Sequence, residues 1–144
     1  MLDVQRQRQI GRKQEILFTR RILIAHLAVG WLIPALLLFH HLFFLSAAAT
    51  AWLLITLGLI VGVTTAQDWC RLALGLSFVA LAVTGFGVIN FHPEAVTDPE
   101  TVTLTRRLLP IWGGIASIAY GAAGVILIAS VKVRKAVGLG FTLW

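Results

Sequence analysis

The sequence predicts an all-α integral membrane protein, an up-down bundle of four transmembrane helices preceded by a short basic segment. Three observations predict it. Of 144 residues, 58% are hydrophobic and 12% charged, against roughly 45–50% and 25% in soluble domains. The apolar residues gather into four runs, each near the ~20 residues that cross a hydrocarbon core of ~30 Å. The basic residues stand beside those runs rather than inside them.

Residues 1–144 read as one membrane domain, since too little chain lies outside the apolar runs for a separate soluble unit. Residues 1–21 are basic and glutamine-rich and are read as a cytoplasmic segment that continues as helix into the first span. Such a segment is attracted to anionic lipid by ~1 kcal/mol per basic residue, and docking to a partner protein is the sharper alternative. The first span, about 22–45, carries no formal charge with its histidines neutral. Pro34 lies inside it and is expected to kink it, with Gly30 one turn earlier easing the bend.

The second span covers about 47–66, with Trp52 near its start; Gln67, Asp68 and Arg71 mark the polar turn behind it. The third covers 72–91. The loop 92–109 follows, its prolines, acids and threonines being unable to continue a lipid-facing helix. The fourth span, 110–131, places Pro110 in a first helical turn, where proline is tolerated. A tail, 132–144, opens with Lys132, Arg134 and Lys135, which suit the negative end of a helix dipole.

The formal net charge is +6. Because the basic residues crowd at the ends and beside the apolar runs, they argue for orientation in a bilayer and against a nucleic-acid partner. Ten of the twelve Lys and Arg fall in the N-terminal segment, at Arg71 and in the tail, leaving Arg106 and Arg107 opposite. Both termini are therefore expected on the cytoplasmic side, in a bacterial inner membrane, with 92–109 outside. The SAAA at 46–49 resembles a signal-peptidase site, but the preceding apolar stretch exceeds the usual ~7–15 residues, so the first span is expected to be retained. The single cysteine, Cys70, has no intrachain partner for a disulfide.

Small residues recur at helical spacing. Gly58 and Gly62 form GxxxG with Ala66 a turn further on, and Gly113, Ser117 and Gly121 repeat the pattern in the fourth span, widened by Ala116 and Gly124. Ala73, Ser77 and Gly85 offer a third strip. These are packing surfaces, for helices of the same chain or of another membrane subunit. Trp52, Trp69, Trp112 and Arg71 are expected as interfacial anchors.

Four histidines remain to be weighed. His26 and His40 are fourteen residues apart, a spacing that resembles the haem-binding pairs of cytochrome b-type membrane proteins. Those proteins need a second helix with its own pair, and here only His92 is available, so the resemblance implies at most one haem b, held by His40 or His41 with His92. His26 has the alternative of bonding across helices. Ser and Thr within the spans are expected to bond their own helix carbonyls.

No Walker, Rossmann, HExxH, GxSxG or CxxC pattern occurs, and the chain is expected to be no enzyme. The function expected is that of a non-catalytic subunit packed into a larger membrane assembly, among lipid and other membrane subunits or copies of itself. The alternatives are a small homo-oligomeric ion channel or transporter and a haem-binding membrane anchor of an electron-transfer complex.

Overall fold

A computed structural model describes residues 2–39, 43–91 and 102–143. Six helices occur in them: α1 (Leu2–Val29), α2 (Leu32–Phe39), α3 (Phe43–Thr64), α4 (Asp68–Phe91), α5 (Val102–Ala129) and α6 (Val131–Leu139). No strand is found among the described residues. Four stretches are long and apolar enough to cross a membrane: Gln7–Ala35, Ser46–Thr64, Asp68–Gly85 and Ile111–Ala129.

The first apolar run is divided between α1 and α2 by a turn at Gly30 and Trp31, four residues before Pro34. The displacement has a direct cause. Proline brings no N–H and its ring collides with the carbonyl four residues back, so the interruption falls at Gly30. Ile33 there closes a tighter bond to the Gly30 carbonyl at 3.3 Å. The buried Ser46 hydroxyl donates to the Pro34 carbonyl at 2.9 Å, tying α2 to the start of α3. Because α3 begins at Phe43, residues 43–45, expected in the first span, belong to α3.

Between α3 and α4 the turn is only Thr65, Ala66 and Gln67. Ala66 has φ 67°, and the Gln67 N–H reaches back to the Gly62 carbonyl at 2.9 Å, the bonding of a Schellman helix end. Two expectations are corrected here. Ala66 is a left-handed turn residue rather than the continuation of a helical strip, and Asp68 to Arg71 form the first turn of α4 rather than a loop before it. Gln67 explains the early start, since its carbonyl accepts the Cys70 N–H at 3.1 Å and opens the helix.

The segment 92–109 is likewise corrected in part. Residues 92–101 lie outside the described residues, but α5 is helical from Val102, so Pro110 sits well within it rather than in its first turn. One missing N–H is tolerated inside a long helix when the freed carbonyl finds another partner.

The tail is also helical. In α6, Val133, Ala136 and Val137 are buried at i, i+3 and i+4 while Lys132, Arg134 and Lys135 are exposed, the pattern of a helix lying on an apolar surface. That surface is α1. The segment after α6 is held by two bonds: Arg20 Nε donates to the Leu143 carbonyl at 3.0 Å, and the Phe141 N–H donates to the Thr64 carbonyl at 3.1 Å.

The closest pairing in the bundle is α4 with α5, followed by α3 with α4 and α2 with α3. Gly75 and Gly124 make the first of these close. A Cβ on Gly124 would stand 2.7 Å from the Gly75 carbonyl oxygen, and one on Gly75 3.0 Å from that of Gly124. The core then runs through Leu23, Ile60, Val63, Leu74, Phe78 and Leu127, with Val133 and Val137 of α6 closing one end.

Candidate functional site

His26 lies inside the bundle, fully engaged on both ring nitrogens. Nδ1 is 3.0 Å from the Tyr120 hydroxyl on α5, and Nε2 is 3.0 Å from Thr56 Oγ1 on α3. The direction of these bonds follows from Thr56. Its hydroxyl also lies 2.8 Å from the Leu53 carbonyl, which only accepts, so the one hydroxyl proton goes there. Thr56 must then accept from His26, which carries its proton on Nε2 and accepts from Tyr120 on Nδ1. The neutral imidazole is thus one link in a one-way chain: Tyr120 to His26 to Thr56 to the Leu53 carbonyl.

Aromatic rings enclose the chain. Phe78 of α4 and Trp52 of α3 stand 4.7 and 5.3 Å from the His26 ring, and Tyr120 stands edge-on to Phe78 at 5.1 Å. Four helices therefore meet at one imidazole. No buried side-chain nitrogen or oxygen among the described residues lacks a hydrogen-bond partner, which in an apolar surrounding avoids a cost of several kcal/mol per group.

A groove of about 240 Å³ runs beside this cluster, lined by Ile22, Ala25 and Val29 of α1, Phe78 of α4, and Ala119, Tyr120 and Ala123 of α5, with His26 in its wall. Tyr120 also borders a second space of about 150 Å³, between Ile33, Leu37, Ala82, Trp112 and Ser117.

A second polar centre stands at the start of α4. Arg71 is 3% exposed; its Nη1 donates to the carbonyls of Leu127 and of Ile128, the latter at 2.8 Å. Its Nε donates to Asp68 Oδ1 at 2.7 Å. Arg71 thereby meets the unpaired carbonyls and the negative dipole of the last turn of α5. Arg71, expected as an interfacial anchor, is thus buried under the end of α5. A short loop sequence does not reveal which helix end will stand above it.

Trp52, another expected anchor, turns its ring onto His26 and Tyr120, at 5.3 and 5.7 Å, because three other aromatic side chains converge there. Trp69 and Trp112 face outward. Gly62 is covered by the Cys70 side chain within the same hairpin. Gly121 faces Ala82, and Ser117 lies near Gly85, so the fourth-span strip, with Gly113 beside it, packs on α4. Gly58 of the second-span strip is open: a Cβ there meets nothing within 4 Å.

Of the proposed haem ligands, His40, His41 and His92 lie outside the described residues. His26 has no nitrogen free for iron in this arrangement. No group of three or more His, Cys, Asp or Glu that would hold a metal ion occurs among the described residues.

Sequence reasoning placed a hydrogen bond across helices at His26 but missed its partner. Tyr120 is the only tyrosine in the chain, and a lone phenol in an otherwise apolar run is a signal that a buried partner exists. Gly75, the glycine at the closest helix approach, was missed because it belongs to none of the predicted strips. Comparison with protein-family models, with curated proteins and with solved structures found no match.

Proposed function

We propose that the protein is a non-catalytic membrane subunit that packs against an apolar helix of another membrane protein. The observation that carries the reading is the open face of α3. Ala47, Ala51, Leu54, Gly58 and Val61 alternate at spacings of four and three and are all exposed. This is the seam by which one helix seats on another, and Ala and Gly let the backbones approach. Gly62, Gly75, Gly121 and Gly124, by contrast, have neighbours within the chain.

The interior supports the same reading. Thr50, Ser77 and Thr84 bond carbonyls of their own helices, while Thr56 serves the His26 chain. Among the described residues these hydroxyls are bonded within their own helices or within the His26 chain, which favours packing over a polar solute path. The exposed basic part of α1, including Arg8, Arg12 and Lys13, suits the anionic surface of the cytoplasmic leaflet in this orientation.

Extraction in mild detergent, followed by a native gel and mass spectrometry, tests the proposal. A stoichiometric membrane partner is expected, released by Gly58→Leu. A lone monomer that fully restores a deletion strain overturns it.

A further inference from the structure

We propose that the groove between α1 and α5 binds the phenolic head of a lipid-soluble molecule, which donates its hydroxyl proton to Tyr120. Three features of the groove converge on this class of ligand.

Position is the first. α1 and α5 are not among the closely packed pairs of the bundle, and the groove between them is bordered by the exposed Ala25, Val29 and Ala119 on the outer side of the two helices. In a bilayer that side faces lipid, so the ligand arrives from the hydrocarbon phase. Size and lining are the second. About 240 Å³ bounded by Ile22, Ala25, Phe78 and Ala123 accommodates one ring, given that an apolar cavity of ~150 Å³ takes up benzene. Phe78 and Tyr120, edge-on to one another at 5.1 Å, offer a ring the offset or edge contacts that aromatic pairs prefer.

The third feature selects the head group. Because Thr56 gives its proton to Leu53, His26 donates through Nε2, and Tyr120 must give its own proton to Nδ1. Tyr120 retains only acceptor capacity. A ketone or ether is therefore not bonded there, whereas a hydroxyl is. Water is a poor occupant, since it needs two to four polar partners and the walls are apolar.

Tyr120 is the only tyrosine, so tyrosine labelled with ¹³C in its ring places a single reporter at the site. In nanodiscs containing the full chain, titration with 4-heptylphenol is expected to move that resonance saturably. The methyl ether of the same compound, in which a methyl group replaces the hydroxyl hydrogen and the acceptor oxygen stays, is expected to bind about three- to tenfold more weakly, the worth of one neutral hydrogen bond. Ala123→Leu fills the groove without touching the chain of hydrogen bonds. It is expected to abolish the saturable shift while leaving the resonance of the free protein in place. Equal midpoints for phenol and ether, which is the behaviour of a groove filled by any acyl chain, overturn the proposal. So does the absence of a saturable shift in the wild-type protein, or its persistence in Ala123→Leu.

Discussion

The Nδ1 of His26 and the hydroxyl of Tyr120 are 3.0 Å apart across 94 residues of sequence. Through that bond α1 and α5, which have little backbone contact, are joined at the level of Phe78 and Trp52.

Tyr120→Phe keeps the ring and removes the donor, leaving Nδ1 buried without a partner. The expected loss of stability is about 1–2 kcal/mol, larger than an average interhelical hydrogen bond in a membrane because an unpaired group remains. Thr56→Val removes the acceptor at the other nitrogen. Reversible unfolding of both single variants and the double variant in mixed micelles is expected to show non-additivity of at least ~0.5 kcal/mol. Strict additivity contradicts a continuous chain.

Arg71→Met retains much of the apolar stem and removes every bond of the guanidinium to Leu127, Ile128 and Asp68. About 2–3 kcal/mol of destabilisation is expected, the scale of buried charge-assisted hydrogen bonds. Asp68→Asn is expected to cost under ~1 kcal/mol, because the carboxylate is 49% exposed and such pairs are screened. Equal losses for the two variants would show that the ion pair, not the helix end, is what Arg71 serves.

The glycines separate internal packing from the outer face. Gly124→Ala puts a methyl group 2.7 Å from the Gly75 carbonyl oxygen, and a loss of roughly 1–3 kcal/mol is expected from forced separation of α4 and α5. Gly58→Ala meets open space and is expected to leave stability unchanged or raise it by up to ~1 kcal/mol through helix propensity. Thermal unfolding of the two purified variants makes the comparison, and a destabilised Gly58→Ala would place another helix on that face within the chain itself.

Orientation is testable in cells. With Cys70 replaced by serine, a cysteine at Thr101 is expected to react with an impermeant maleimide in intact cells or spheroplasts. One at Thr142 is expected to react only after lysis. The basis is that inversion would carry ten basic residues outward to bring two inward. The reverse labelling pattern overturns the assignment, and labelling of both sites in intact cells indicates dual topology or an odd number of spans.

Helical class and the four apolar stretches were legible because hydropathy and length are local properties. The break near Pro34 was legible too, displaced to Gly30 by the geometry of the proline ring. The α6 helix is less legible: Val133, Ala136 and Val137 carry helical spacing, but nine residues beside a basic cluster read as tail. The start of α5 was placed too late, since threonines and two arginines look like loop when the neighbouring helices are unknown.

What the sequence determined by itself was the number of long apolar helices, the breaking points between most of them, and the concentration of charge beside them. Tertiary structure alone decided that Gly75 faces Gly124, that Cys70 covers Gly62 while Gly58 stays open, that Arg71 caps α5, and that His26 meets Tyr120 and Thr56. The physical reason is the apolar character of these helices on every side. In a soluble helix the polar face marks which residues point inward, but here outward and inward positions are equally apolar, so Ile118 is 75% exposed and Leu127 fully buried on the same helix with nothing local to tell them apart.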